Sequence, residues 1–482
     1  MSAQVSLLIS DLSWAQPELY VAIFALAGVV LGAVFKDGIA PFLGIVGACV
    51  FVAAGIWAFK FQPGDAVALF NGSMVVDSFA GFVKGIIAFC AAATLLLGFD
   101  HFSKTKEQRF EFPIMTALAV LGLFVMASAN DLITLYVGVE LQSLASYVLA
   151  AWRRDDAKSS EAGLKYFVLG AISSGLLLFG ASYIYGFTGS LRFTEIAAAT
   201  DGGGFGLLFG LVLLICGLAF KIGAAPFHMW TPDVYEGAPT PVTALFSAAP
   251  KMAALALLAR VLYEPFAGMA DQWKQVIVAL SALSMAVGSV AALLQTNMKR
   301  LMAYSSIANM GFALMPLASG TPDGAAAALV YMAIYLPTTI GVFALILAMR
   351  RDGAFVESID DLAGLASRRV LMASLMTALL FSLAGIPPLA GFWGKWVAFK
   401  AAAEGGLVWL AVLGGVAAVV AAAYYLRVIA SMWFKPAGAA LQAPSGTTLT
   451  TALIGAALSF PILVLALGWL ETWARAAVAA SF

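Results

Sequence analysis

Charge is what this sequence has least of. Only 11% of its 482 residues are Asp, Glu, Lys or Arg, against 62% hydrophobic, and the mean hydropathy is +0.96. Apolar stretches at that density exclude an ordinary soluble domain and indicate a polytopic membrane protein. Cysteine is almost as scarce: Cys49, Cys90 and Cys216 are scattered through apolar stretches. An iron–sulfur cluster takes about four thiolates, so none is expected, nor any disulfide. Two histidines, His101 in a connecting loop and His228, are a poor basis for a bis-histidine haem. No glycine-rich phosphate loop follows a strand, since no strand is expected. The chain is therefore expected to bind no cofactor, metal or redox centre and no nucleic acid. Whatever it moves, it moves by side-chain protonation or ion pairing.

What is there is apolar sequence in lengths that match a bilayer. A spanning helix needs ~20 such residues. Read at that length, the chain gives fourteen segments: 19–35, 40–59, 74–98, 113–128, 131–151, 160–187, 203–236, 240–262, 273–294, 301–318, 324–349, 370–403, 406–434 and 449–474. The runs are continuous and do not alternate, which excludes a β-barrel. The expected fold is all-α and polytopic. The opening MSAQVSLLISDLSWAQPELY has no basic region and carries Asp11 and Glu18, so it is not expected to be a cleavable signal. With the amino terminus outside, the inner loops hold fifteen Lys or Arg, among them Lys36, Arg153, Arg154 and Arg300. The outer loops hold five: Lys60, Arg192, Arg260, Lys274 and Arg475. The positive-inside rule then places both termini on the outer side, periplasmic if the membrane is a bacterial inner membrane.

Six lysines fall inside apolar segments: Lys84, Lys165, Lys221, Lys251, Lys395 and Lys400. Lys84 and Lys400 lie near segment ends, where a long side chain can snorkel. Lys251 lies near midplane, where an uncompensated lysine costs ~2.5–3.5 kcal/mol on insertion scales. Glu140 is the one carboxylate deep in a segment, sharing a helix face with Tyr136, Ser143 and Tyr147. Its bland role is a structural ion pair; intramembrane carboxylates nevertheless point first to function. Lys165 has Glu161 one turn before it, which by itself would neutralise it.

Two segments are too long for one crossing. Residues 203–236 would span ~51 Å as one helix, against a ~30 Å hydrocarbon core. Pro226 sits mid-run, with Lys221 before it and His228 after it. Residues 370–403 repeat the pattern in GIPPLAGFWGKW, with Pro387, Pro388 and Lys395. Broken helices in corresponding halves point to a transport site, because the freed backbone groups must face protein or water. They also predict an internal duplication of two five-helix units, segments 4–8 and 9–13, which an odd helix count would leave inverted. The expected divisions are 1–112, 113–262, 263–436 and 437–482, although direct similarity between the halves is faint.

The stretches AFKIGAAPFHMWTPDVYEGAPTPV, PKMA and NMKRLMAYSSIANMG together resemble the antiporter-like subunits of respiratory complex I (NADH:quinone oxidoreductase). ELQSLASYVLAAWRRDD and EAGLKYFVLGAISSGLLLFGASYIYGFTG are most similar to the subunit N branch, over about residues 75–430. Subunit L carries a long C-terminal extension with a lateral helix, whereas this chain stops after its fourteenth segment. Subunit M typically has glutamate where Lys395 stands. The resemblance implies a proton path through Glu140, Lys165, Lys221, Lys251 and Lys395, with His228 and Tyr304 as accessory relay groups. It also implies redox chemistry located elsewhere in the complex. Expected partners are other membrane-arm subunits, neighbouring antiporter-like subunits, the lateral helix of subunit L, the lipid bilayer and protons. Asn309 stands where the family often has histidine. A cation/proton antiporter subunit or a purely structural packing subunit are the rival readings; buried lysines argue against the second.

Moving one charge against 100 mV takes ~2.3 kcal/mol. A Glu–Lys pair at ~7 Å, with an effective dielectric constant of ~20, is worth ~2.4 kcal/mol. Opening or closing one such pair is a switch of the right size.

Overall fold

The computed structural model describes residues 2–105, 107–200, 204–351, 354–459 and 461–482. Residue 203, the expected first residue of the seventh segment, and residue 460, inside the fourteenth, lie outside the described residues. A short helix α1 (Ser2–Trp14) precedes α2 (Gln16–Phe35), α3 (Ala40–Lys60) and α4 (Ser78–Thr105). Next come α5 (Glu111–Ser128), α6 (Leu132–Ala150), α7 (Ala157–Thr188), the short α8 (Phe193–Ala199), α9 (Phe205–Ile222), α10 (Trp230–Gly237) and α11 (Thr240–Tyr263). The chain continues through α12 (Ala270–Leu293), α13 (Met298–Leu317), α14 (Pro322–Leu347), the short α15 (Leu365–Arg368), α16 (Val370–Ala384), α17 (Ala390–Glu404) and α18 (Val408–Phe434). It closes with α19 (Gly446–Ser459) and α20 (Pro461–Ala479).

Ten described runs are long and apolar enough to cross a membrane. One of them, Gln16–Lys60, contains both α2 and α3. Helix α13 and the pairs α16–α17 and α19–α20 account for the rest, so each of the fourteen expected segments corresponds to a helix or a helix pair. The chain is a multi-pass membrane protein.

Two expectations need correction. Strands do occur: β1 (Val67–Leu69) pairs with β2 (Met74–Val76), and β3 (Arg350–Arg351) with β4 (Ala354–Phe355), both antiparallel. These ribbons lie in connections; β2 takes the first three residues of the expected segment 74–98, whose helix begins only at Ser78. His101 is not in a loop but in the last turn of α4, buried, with Nε2 3.0 Å from an Arg153 guanidinium nitrogen.

Helix α11 is buried from Thr240 through Leu262, and α14 nearly so, which makes them the centre of the bundle. A helix apolar on every side has no amphipathic stripe to dictate this. Peripheral helices turn residues such as Leu26 and Val30 of α2, and Val416 and Val419 of α18, outward. Since lipid is as apolar as leucine, close approach of small residues decides which helices touch. A Cβ on Gly122 of α5 would come 2.4 Å from the Gln142 nitrogen and 2.8 Å from the Gly138 oxygen of α6. A Cβ on Gly288 of α12 would meet the Ala308 nitrogen at 2.4 Å and the Tyr304 oxygen at 2.8 Å, on α13. Gly122 and Gly288, Gln142 and Ala308, and Gly138 and Tyr304 are all separated by one constant spacing along the chain. The helix caps Asp131 and Asn297 share that spacing, each accepting from backbone N–H groups of its own first turn.

Both long segments are broken. α9 ends at Gly223 and α16 at Gly385, each with the left-handed φ (76° and 86°) that a side chain would strain. Irregular backbone then carries Pro226, and Pro387 and Pro388, before α10 and α17 begin.

Candidate functional site

Helices α6, α9, α11, α13 and α17 bring three buried lysines into one polar row. Lys221, in the last turn of α9, donates from Nζ to Ser143 Oγ of α6 at 2.7 Å. Lys251, fully buried on α11, donates to Ser306 Oγ of α13. Lys395 on α17 donates to the carbonyl oxygens of Leu383 and Ala384, both at 2.9 Å. Those are carbonyls of the last turn of α16, unpaired because the helix stops there. The second break thus builds the lysine's seat.

The first break connects two of the lysines. A Cβ on Gly223 would lie 3.8 Å from Lys251 Nζ and 3.0 Å from Thr231 Oγ1, so the chain turns directly beside the ammonium group. Thr231 Oγ1 is buried and has no hydrogen-bond partner among the described residues. Between Lys251 and Lys395 runs a hydroxyl and amide network. Ser305 Oγ pairs with Tyr425 Oη at 2.5 Å, Asn309 donates to the Ser305 carbonyl at 2.7 Å, and Tyr331 donates to Asn309 Oδ1 at 2.6 Å. A cavity of about 10 Å³, near the minimum a water needs, is lined by Asn309, Tyr331, Tyr335, Ser382 and Lys395.

Glu140 is half-buried on α6 and accepts a hydrogen bond from Ser174 Oγ of α7. It makes no direct ion pair with Lys221; the two groups are held by different serines of this same region. Glu140 and Ser306 are related by the spacing that relates Gly122 to Gly288, and so are Ser143 and Asn309. The hydroxyl that receives Lys251 therefore occupies, in the second unit, the position of the carboxylate in the first.

The structure sets three sequence candidates apart from this row. Lys165 is 39% exposed and pairs with Glu161 at 2.6 Å and Asp233 at 2.7 Å. Asp233 and Glu236 both also bind Arg300, making a charge cluster at one end of α7 and α10. His228 is half-buried in the first break, beside the exposed Pro226 and Met229. Tyr304 is half-buried on α13, its backbone carbonyl facing Gly288 of α12; two residues from Ser306, it sits on a different face of the helix from the serine that receives Lys251.

Other buried charges contradict the sequence reading. Lys84 does not snorkel: it is buried and paired with Glu18 at 2.5 Å, a second carboxylate inside the protein. Arg260 is not in an outer loop but on α11, 1% exposed, held by Asp77 at 2.8 Å and 3.1 Å. Asp77 also caps α4 through the Ala80 N–H. Glu264 lies just beyond α11, 3.7 Å from Arg260, and burial raises its pKa above the ordinary carboxylate value. Lys299 is buried too, donating to Glu357 and to the Glu236 and Ala238 carbonyls. Ser174, Ser306, Tyr331 and Tyr425 were not singled out from sequence. The signal for the two serines is the Ser-Ser pairs at 173–174 and 305–306 inside largely apolar helices; the tyrosines carry none.

Residues 129–421, which contain all three lysines, match the family described as NADH:quinone oxidoreductase/Mrp antiporter, TM. The chain is 50% identical to NADH-quinone oxidoreductase subunit N of Rhodospirillum rubrum, covering 97% of this chain and 96% of that one. It is 51% identical to the subunit N of Maricaulis maris, over 95% and 96%. Among solved structures, a chain of respiratory complex I from Thermus thermophilus with bound aureothin superposes with a TM-score of 0.80 at 32% identity. That match covers 94% of this chain and 98% of the other. The Mrp complex of a Dietzia species shares the fold, with a TM-score of 0.86 at 21% identity and 97% of each chain covered.

Proposed function

The chain belongs to the NADH:quinone oxidoreductase/Mrp antiporter family, with subunit N proteins as its near relatives, and from that premise we propose how it works. It is a proton-translocating membrane-arm subunit of an NADH:quinone oxidoreductase, driven by quinone reduction elsewhere in the complex. Within it, Glu140, Lys221, Lys251 and Lys395 carry the proton in turn. The observation that carries this reading is a contrast among buried lysines. Lys84 and Lys299 each have a carboxylate partner within 3.0 Å. Lys221, Lys251 and Lys395 instead rest on hydroxyl or carbonyl oxygens. A carboxylate would pin the charge, whereas a neutral oxygen lets desolvation and partner movement set when the proton leaves.

Glu140 is the group whose charge biases Lys221. Lys165, with Asp233 and Glu161, belongs to a charge cluster that supplies protons from the inner side. His228 and Tyr304 flank the path as accessory groups. The units 113–262 and 263–436 act as inverted repeats, framed by 1–112 and 437–482; the shared glycine, cap and polar positions support this. The chain holds no redox centre and performs no catalysis of its own. It lies in a bacterial inner membrane with both termini on the periplasmic side, against neighbouring antiporter-like subunits and the lateral helix of subunit L.

The test is Lys395→Met in the assembled complex, reconstituted in vesicles. Assembly should persist while proton translocation per quinone reduced falls. An unchanged ratio would remove Lys395 from the path.

A further inference from the structure

An apolar groove of about 420 Å³ opens between α3, α4, α14, α19 and α20. Val52, Ile56, Phe82 and Phe89 form its walls, and Ala333 and Pro337 of α14 form its floor. Its mouth is different in kind. Lys60, the last residue of α3, is exposed there and has no ion-pair partner among the described residues. Trp473 stands beside it, half-exposed and edge-to-face with Phe59 at 5.1 Å. Arg475, two residues on, pairs with Asp323 in the first turn of α14 at 3.4 Å, which sets the mouth level with the start of that helix. A lysine and a tryptophan at one level mark a membrane–water interface.

Depth and width identify the occupant. At 1.5 Å per residue, Ala333 lies ~17 Å below the start of α14, about the ~15 Å of one hydrocarbon leaflet. The groove is closed at depth, where a Cβ on Gly455 of α19 would lie 2.9 Å from the Pro337 carbonyl. A single acyl chain is thin enough. We propose that the groove is a binding site for an anionic phospholipid, with one acyl chain lying against Ala333 and Pro337 and the headgroup phosphate at Lys60. Ala333 and Tyr331 lie on opposite faces of α14, and Tyr331 is hydrogen-bonded to Asn309 in the lysine row. The lipid thus packs on the back of a helix whose front belongs to the proton path.

The test uses the assembled complex in membranes, with phosphatidylglycerol or phosphatidylcholine carrying a photoactivatable group mid-chain. Phosphatidylglycerol should label the α14 peptide containing Ala333 and Pro337 about fivefold more than phosphatidylcholine, the preference one lysine near the surface gives. Lys60→Gln should reduce that preference to parity, and Ala333→Phe should abolish labelling by both lipids. If Ala333→Phe does not assemble, Gly85→Leu fills the groove from α4, where a Cβ has ordinary contact at 3.6 Å with Phe59. Equal labelling by both lipids in the unaltered protein would overturn the proposal. So would a preference that survives Lys60→Gln, or labelling of a neighbouring subunit's peptide in place of α14.

Discussion

Lys221 Nζ meets Ser143 Oγ at 2.7 Å, one helical turn from Glu140 on the same face of α6. Glu140 accepts from Ser174 instead, so the cation and the anion are each held by a serine and not by one another. A lysine held by a neutral oxygen, with the carboxylate engaged elsewhere, suits the proposed gain and loss of its proton. Lys221→Arg keeps the charge and any static contact but cannot release a proton, because the guanidinium stays charged. The Arg variant should assemble and lose pumping nearly as fully as Lys221→Met. Full proton translocation in the Arg variant, measured in vesicles, would make Lys221 a fixed structural cation.

Glu140→Gln removes a switchable charge at nearly constant volume and leaves an acceptor for Ser174. Pumping should fall more than assembly does. Comparing quinone reduction with proton uptake reads the two separately, and a normal ratio would demote Glu140 to a structural residue.

Asn309 links Ser305 to Tyr331 on the way to Lys395. Asn309→Leu should slow translocation, since a leucine neither donates nor accepts. Asn309→His, which restores a polar group able to bind and pass a proton, should recover most of the rate. Equal rates in the Leu variant and the unaltered protein would place the path elsewhere.

Arg260 and Asp77 form a nearly inaccessible pair joining α11 to the start of α4. Arg260→Met alone leaves a buried carboxylate unpaired, a loss of about 3–5 kcal/mol. Combining it with Asp77→Asn, which keeps the cap on Ala80, should recover much of that. Thermal unfolding of the purified complex measures both; a double variant as unstable as the single would refute a simple charge-pair account.

Gly391 touches the carbonyl of Ser382 across the second break, where a Cβ would stand 1.8 Å from that oxygen. Gly391→Ala should force the half-helices apart and cost about 1–3 kcal/mol. It should therefore lower the yield of assembled complex. Unchanged yield and melting temperature would show that the break tolerates movement.

The sequence alone determined the membrane class, the fourteen segments, the two breaks and which lysines fall inside apolar segments. Each is a one-dimensional signal: run length against bilayer thickness, proline against helical hydrogen bonding, charge against apolar surroundings. The partners of those charges were decided only by tertiary structure. Lys84 and Arg260 looked like an end-of-helix snorkeller and an outer-loop residue, yet both are sealed inside by Glu18 and Asp77, which are remote in sequence. Lys165, which the sequence already showed beside Glu161, also reaches the remote Asp233 in a partly exposed charge cluster. Nothing local to Lys84 or Arg260 announces those partners, because helices apolar all round carry no stripe to say which face turns inward. Close contacts such as Gly122 against Gly138 and Gly288 against Tyr304 settle that choice. They exist only once the helices have met.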